Sequence, residues 1–190
     1  MTKPQKFNRK SPRLHDFDYT QDGGYFITIC THNRLKLFGD IDVDGAMHIS
    51  QWGQIAQSCW DIIPRHFPHV RLDKFVVMPN HVHGILFVIE PNPPDNELSP
   101  PASGVGAIHE SPLRNNNVPR GSKKGSVSAI VGLYKSAVTR QINAIRADTH
   151  PLWQRSFHDH HIRNETELNK LREYVLSNPA LWAADKYHAD

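Results

Sequence analysis

Two apolar segments joined by a very short turn constrain the fold of this chain more than any other sequence feature. Residues 72–78 and 82–89 are rich in β-branched and large apolar residues, and the Pro79-Asn80 pair supplies the turn between them. Runs of this length and composition, bounded by turn residues, are typical of strands. The sequence therefore predicts two neighbouring strands, which the short turn makes antiparallel.

Other predicted elements flank these two strands. They are a strand at 24–31, a hairpin at 37–50 around Asp44-Gly45, helices at 52–66 and 126–146, a short strand-like piece at 152–158, and a helix from Asn164 to about Ser177. Apolar residues at helical spacing mark the helices, and Asn164 followed by Glu167 resembles a capping box. This order of elements predicts an α+β domain with an antiparallel sheet and helices packed on one face.

The length and composition suit one soluble domain. The chain has 190 residues, of which 38% are hydrophobic, and only two cysteines, Cys30 and Cys59. Two cysteines are too few for a disulfide framework, which favours a reducing compartment. The longest apolar run, at 85–89, is far shorter than the roughly 20 residues of a membrane-spanning helix. We therefore expect a cytoplasmic protein that makes no membrane contact.

One segment differs from the rest in composition. Residues 91–125 contain seven of the 14 prolines and four of the 11 glycines, with few large apolar residues. Such a composition is typical of a long flexible insertion. We therefore expect a basic N-terminal arm at 1–20, a domain at 21–182 that contains the insertion, and a C-terminal tail at 183–190.

The net charge of +3 conceals a strong asymmetry along the chain. Residues 1–14 carry five basic residues and residues 111–147 carry seven, and neither segment contains an acidic residue. Clustered Lys and Arg are the electrostatic feature expected of a protein that handles a polyanion, because each neutralised phosphate releases a counterion. An ordinary solvated surface with a basic tail would give the same pattern.

Two of the 13 histidines, His81 and His83, enter the second apolar strand at alternate positions. Residues i and i+2 of a strand share a face, so the two imidazoles stand about 7 Å apart and can share one divalent metal. Two solvent-facing histidines at a strand end would show the same spacing. A third histidine of the HxHxH type is missing because Ile85 occupies its position, and phosphate-loop and G-x-S-x-G motifs are absent.

The last predicted helix carries a second set of candidates. At 100° per residue, Tyr174 and Asn178 fall on the same edge of its apolar stripe, so both can face a site built on the sheet. A tyrosine at the rim of the core and a helix C-cap are the alternative interpretations. Tyr134 is a competing nucleophile, although its spacing favours a core position. A separate metal cluster would draw on His158, His160 and His161, but adjacent histidines on an extended segment point apart.

Several segments together resemble the REP-associated tyrosine transposases, a family related to single-strand insertion-sequence transposases of the HUH type. The matching segments are 76–84 (VVMPNHVHG), 134–139 (YKSAVT), 153–155 (WQR), Asp159 with 162–165 (IRNE), and 174–179 (YVLSNP). They follow the order of the family, and the resemblance extends from about Tyr25 to Trp182. The insertion at 91–125 is the main departure in length.

The resemblance implies a ferredoxin-like core and a single-stranded DNA endonuclease and strand transferase that acts through a 5′-phosphotyrosine. It implies that Tyr174 is the nucleophile and that His81, His83 and Asn178 bind a divalent metal, Mg²⁺ or Mn²⁺. Relatives recognise palindromic hairpins with a tetranucleotide guide, and occur as monomers or homodimers. The basic residues expected to contact DNA are Lys123, Lys124, Lys135, Arg140 and Arg155. The alternative function is a catalytically silent DNA-binding protein of the same fold, and a phosphoesterase that releases a free product is a third.

Overall fold

The structure, a computed structural model, describes residues 23–89, 125–146 and 150–188. The predicted N-terminal arm and nearly all of the predicted insertion, including Lys123 and Lys124, lie outside the described residues. No helix within these three ranges is long and apolar enough to cross a membrane.

The described chain contains six strands and four α-helices. They are β1 (Gly23–Cys30), β2 (Gly39–Ile41), β3 (Met47–Ile49), α1 (Gln51–Asp61), α2 (Ile63–His66), β4 (Val70–Met78), β5 (His81–Val88), α3 (Val127–Asn143), β6 (His158–Ile162) and α4 (Glu165–Ser177), with short 3₁₀ helices at His32–Arg34 and Pro179–Ala184. Strands β2 and β3 form the predicted small hairpin. The predicted helix at 52–66 is divided because Ile62 does not continue α1 and Pro64 occupies the first turn of α2.

Four strands form one antiparallel sheet in the order β4-β5-β1-β6. Helix α1 follows β1 in the chain and α3 connects β5 to β6, which gives the β-α-β-β-α-β arrangement of a ferredoxin-like fold. The predicted α+β fold with an antiparallel sheet is therefore confirmed. In the centre of the sheet, Thr28 lies opposite His83 and Cys30 lies opposite His81.

Helices α1 and α3 cover one face of the sheet, as predicted. The core on this face includes Trp60, which is 1% exposed, stacks on Phe75 with ring centroids 4.5 Å apart and meets the edge of Tyr134 at 5.5 Å. Aromatic side chains of this size each bury about 150–250 Å², so this group contributes much of the apolar burial on the face.

Helix α4 packs on the opposite face, which differs from the prediction that all helices share one face. Its apolar stripe of Leu168, Leu171 and Val175 packs with Phe26 and Ile85 from the centre of the sheet. Because successive side chains of a strand point to opposite faces, apolar residues on the second face also need a cover. The histidines of β5 lie on this same second face.

One contact caps the start of α4, and a second joins the helix to the sheet. The predicted cap is present, since the Asn164 side chain accepts the backbone N–H of Glu167 at 2.9 Å. Farther along the helix, the Arg172 guanidinium donates to the Asp73 carboxylate of β4 at 2.7 Å. Together they hold the helix at its start and near the turn that carries Tyr174.

The short strand predicted at 152–158 is wrong in position. The strand β6 begins at His158, and the preceding segment contributes only an isolated bridge between Thr31 and Trp153. The apolar residues Leu152, Trp153 and Phe157 are buried because the loop packs them against the core, not because the segment is a strand.

Candidate active site

Strand β5 brings His81 and His83 together at the centre of the second sheet face. Both side chains are fully buried, at 0% exposure, and their Nε2 atoms are 3.0 Å apart. The alternation of a strand places the two residues on one face, and the rings then turn toward each other. The two imidazoles predicted from the sequence to stand side by side do so here.

The Nδ1 atom of each imidazole has a hydrogen-bond partner. His81 Nδ1 lies 2.8 Å from Asn80 Oδ1, and the amide group of Asn80 in turn donates to the Tyr187 carbonyl at 2.8 Å. This second bond fixes which end of the amide faces the imidazole, so His81 Nδ1 carries the proton and the lone pair of its Nε2 points toward His83 Nε2. The Thr28 hydroxyl lies 2.8 Å from His83 Nδ1 and orients the second ring.

Burial keeps both imidazoles neutral at ordinary pH. Loss of solvent lowers the pKa of His81 to about 4, with the Asp185 carboxylate opposing this shift. The pKa of His83 lies well below its usual value, first because of burial and then because of the neighbouring His81. A neutral imidazole is the form that binds a metal ion.

Helix α4 places Tyr174 directly beside this pair. The phenol oxygen lies 3.4 Å from His83 Nε2, and Phe26 packs against both rings, with centroids 5.2 Å from His83 and 5.9 Å from Tyr174. Partial burial raises the pKa of Tyr174, as does the Asp185 carboxylate, whereas a hydrogen bond from the Asn178 side chain lowers it. The phenol is therefore protonated at neutral pH unless a positive charge approaches it.

Asn178 lies one turn beyond Tyr174, as its spacing in the sequence predicts. The residue is 2% exposed, and its side-chain oxygen has no hydrogen-bond partner among the described residues. A buried carbonyl oxygen without a partner costs free energy, so its position next to Tyr174 needs a ligand or another explanation.

Asp185 is a further member of the site that sequence reasoning missed. Ligand atoms of His81, His83 and Asp185 all lie within 4.8 Å of one another. One carboxylate oxygen of Asp185 accepts the Tyr187 backbone N–H at 2.6 Å, and the other is buried with no hydrogen-bond partner in the described part of the chain. These three residues could hold a metal ion, since two imidazole nitrogens and an unpaired carboxylate oxygen are suitable donors.

The segment that follows α4 closes over the histidines. Tyr187 is 5% exposed, and its ring lies 4.8 Å from His81 and 5.8 Å from His83, centroid to centroid. The sequence analysis assigned residues 183–190 to a C-terminal tail. The described part of that segment, up to His188, packs against the site.

The competing candidates do not belong to this group of ligands. Tyr134 is 1% exposed on the other face of the sheet and donates its hydroxyl to the Ala56 carbonyl at 3.2 Å, while burial raises its pKa well above the usual value. In β6, His160 pairs with Glu167 at 2.8 Å and His161 packs on Tyr25. Among the described residues, the only group of three or more metal-ligating side chains contains His81, His83 and Asp185.

Three of the predicted DNA-contacting residues line one open cavity. Lys135, Arg140 and Arg155 lie around a cavity of about 770 Å³ between α3 and the loop before β6. The Lys135 ammonium donates to the Gln154 carbonyl at 2.6 Å, and burial lowers its pKa to about 8. A backbone hydrogen bond joins this loop to the end of β1 that pairs with His81, since the Gln154 N–H donates to the Cys30 carbonyl at 2.9 Å.

A solved structure of another protein shares this fold. The structure of a REP-associated tyrosine transposase bound to a REP hairpin matches 94% of this chain and 77% of its own, with a TM-score of 0.56 and 17% identity. A candidate transposase of Deinococcus radiodurans matches 89% of this chain and 97% of its own at 16% identity, with a TM-score of 0.40 that is too low to support an argument. The chain therefore has the fold of the REP-associated tyrosine transposase, and the resemblance found in the sequence is confirmed at the level of the fold.

A closer relative is found by sequence. An uncharacterized protein of Haemophilus influenzae is 34% identical over 183 residues, which cover 96% of this chain and 94% of that protein. The chain belongs to the same family as this Haemophilus influenzae protein. No protein-family model matches the chain.

Proposed function

We propose that this protein cleaves and rejoins single-stranded DNA at hairpin-forming repeats, with Tyr174 as the nucleophile. The observation that supports this most is the placement of a tyrosine hydroxyl 3.4 Å from His83 Nε2, which is itself 3.0 Å from His81 Nε2. The phenol is the candidate nucleophile, and the two neutral imidazoles beside it form a candidate metal site. The two lie within one side-chain length of each other. The fold shared with a transposase that was solved with a REP hairpin agrees with this proposal.

The reaction proposed for Tyr174 is a transesterification. The phenol loses its proton to solvent, its oxygen bonds to phosphorus, and the bond from phosphorus to the 3′ oxygen of the preceding nucleotide breaks. The departing 3′ oxygen takes up a proton, which leaves a 5′-phosphotyrosine and a free 3′-hydroxyl. Because one phosphodiester replaces another, the later attack of a 3′-hydroxyl on the phosphotyrosine can rejoin strands without an added energy source.

The residues at the site fit a divalent metal, and we propose that the protein uses Mg²⁺ or Mn²⁺. His81 and His83 would bind it, and the third donor would be Asp185 or Asn178, each of which has a buried side-chain oxygen without a hydrogen-bond partner. A bound divalent ion would stabilise negative charge on the scissile phosphate. Thr28 and Asn80 would hold the imidazoles in the orientation that this requires.

The basic cavity is proposed as the surface that binds the DNA backbone. Lys135, Arg140 and Arg155 supply positive charge there, and we expect Lys123 and Lys124 to add to it from outside the described residues. The loop that lines this cavity is attached to the end of β1 that faces His81, so one strand of DNA could contact both places.

A labelled hairpin DNA with randomised single-stranded flanks, incubated with the protein and Mn²⁺ or Mg²⁺, tests the proposal. We expect a covalent protein–DNA adduct that survives denaturing electrophoresis. Tyr174→Phe should abolish the adduct. Tyr134→Phe is the matched control, because it removes the same hydroxyl from a tyrosine on the other face of the sheet, and it should retain the adduct.

The other outcomes identify the alternative functions. Binding without cleavage by the unmodified protein would favour a catalytically silent DNA-binding protein. Cleavage without an adduct would favour a phosphoesterase. An adduct that persists in Tyr174→Phe would show that the nucleophile is assigned to the wrong residue.

A further inference from the structure

A second cavity lies directly beside the histidine pair. It has a volume of about 420 Å³, within the range of small-ligand pockets. Its lining residues are Phe26, Thr28, Arg34, His158, Asp159, His160, Lys186 and Tyr187. The cavity shares walls with the candidate active site, because Thr28 contacts His83 and Phe26 packs on both His83 and Tyr174.

Two cationic side chains, Arg34 and Lys186, line this cavity, and the backbone at Arg34 has an unusual conformation. Asn33 and Arg34 both have positive φ angles, 53° and 55°, a conformation that is uncommon for residues other than glycine and asparagine. Strained backbone of this kind is found where a side chain must be placed for function. The Arg34 guanidinium donates to the Lys186 carbonyl at 3.2 Å.

The second cation, Lys186, lies beside Arg34 in the lining of the cavity. Its ammonium is 4.8 Å from the centre of the Tyr187 ring, and the Arg34 guanidinium is 5.5 Å from the same centre. Tyr187 is itself buried against His81, so both positive charges are anchored to the site. Asp159 is the one carboxylate in the lining, and the Asp185 carboxylate lies among the histidine ligand atoms.

The geometry points to a nucleotide subsite: this cavity takes the unpaired nucleotide next to the scissile phosphate, and Arg34 with Lys186 neutralises the following phosphate. The inference rests on the proposed function and adds a binding site to it. A phosphate attacked by Tyr174 carries a nucleotide on each side, so the substrate must continue past the histidines. The cavity offers aromatic walls from Phe26 and Tyr187 for a base, and two exposed cationic side chains beside the Tyr187 ring for the backbone. Aromatic surface next to positive charge is the feature of single-strand binding sites.

Binding of short DNA tests the subsite without requiring catalysis. The probe is a fluorescein-labelled pool of random-sequence hexadeoxynucleotides, and fluorescence anisotropy is measured with the Tyr174→Phe protein at several salt concentrations. The test variant adds Arg34→Gln and Lys186→Gln. The matched control adds Arg65→Gln and Lys74→Gln, which remove one exposed arginine and one exposed lysine from α2 and from β4, the edge strand farthest from β6.

We expect the subsite pair to weaken binding about tenfold at low salt and to reduce the slope of log affinity against log salt by about 0.7, because the two cations neutralise one phosphate. The control pair should change neither the affinity nor the slope by a comparable amount. Lys186→Gln alone should reduce the slope by about half as much, which keeps the test informative if the Arg34 variant folds poorly.

The outcomes separate the two proposals. If both pairs weaken binding equally, the subsite is refuted while cleavage by Tyr174 is untouched, since the adduct assay is independent of this measurement. If the starting protein binds no single-stranded DNA at all, the proposed function fails and the subsite fails with it.

Discussion

Removal of the Thr28 hydroxyl tests how the candidate metal site is held. Thr28→Val keeps the shape of a side chain that is 2% exposed and removes only the oxygen that lies 2.8 Å from His83 Nδ1. A buried ring nitrogen left without its partner should lower the free energy of unfolding by about 1–3 kcal/mol. Loss of an outer partner of a metal-binding histidine typically lowers metal affinity about 10–100-fold, which is about 1.4–2.7 kcal/mol.

Calorimetric titration with Mn²⁺ measures the affinity, and urea unfolding in EDTA measures the stability without the ion. Thr28→Ser is the matched control, because it keeps the hydroxyl and loses only a methyl group, and it should bind Mn²⁺ nearly as tightly as the unmodified protein. Equal Mn²⁺ affinities for the valine variant and the unmodified protein would refute the reasoning, as would a serine variant as weak as the valine variant.

Three further predictions concern the same region. Gly84→Ala places a Cβ 2.3 Å from Trp60 Cζ2, so it should lower the free energy of unfolding by about 1–3 kcal/mol or more, and an unchanged urea midpoint would contradict this packing. Asp185→Asn keeps the oxygen that accepts a backbone N–H and removes the charge, so Mn²⁺ affinity should fall about tenfold or more in the calorimetric titration, and an unchanged affinity would exclude Asp185 as the third ligand. Because the pKa of His81 falls from 6.5 to about 4 on folding, the unfolded chain binds more protons between these values, so stability in EDTA should decrease as pH is lowered through this window, by up to about 1.4 kcal/mol per pH unit. Urea midpoints at pH 7 and pH 5 measure this effect, which His81→Gln should reduce, and equal midpoints for the unmodified protein would count against it.

The elements with strong local signals were predictable from the sequence. The two apolar runs around Pro79-Asn80 are β4 and β5, and the alternation of a strand was enough to place His81 and His83 on one face. The cap at Asn164 and helical spacing placed Tyr174 and Asn178 on one edge of α4. These features depend on neighbours in the chain, which the sequence displays directly.

The strand β6 could not be recognised in this way. Its sequence is HDHHI, and four of its five side chains are partly or fully exposed because it forms an edge of the sheet. It therefore lacks the alternating apolar pattern, which the preceding buried loop carries more strongly at Leu152, Trp153 and Phe157. The sequence also could not show on which face of the sheet α4 packs, because the apolar stripe of the helix fits either face.

The residues that orient the histidines, together with Asp185, could not be recognised from the sequence either. Thr28 reaches His83 across 55 positions of the chain, and Asn80 reaches the Tyr187 carbonyl across 107. Asp185 belongs to the site only because the 3₁₀ helix after α4 turns the chain back over the histidines. Contacts of this kind are set by tertiary packing, and no local pattern in residues 183–188 marks them.

Mass spectrometry of the protein–DNA adduct tests the central claim most directly. After reaction with hairpin DNA and Mn²⁺, nuclease treatment and trypsin digestion would leave one or a few nucleotides covalently attached to the modified peptide. The account predicts a 5′-phosphonucleotide on the peptide from Glu173 to Lys186, in which Tyr174 is the sole tyrosine. Cut DNA with that peptide unmodified, or the nucleotide on any other tyrosine, would contradict it.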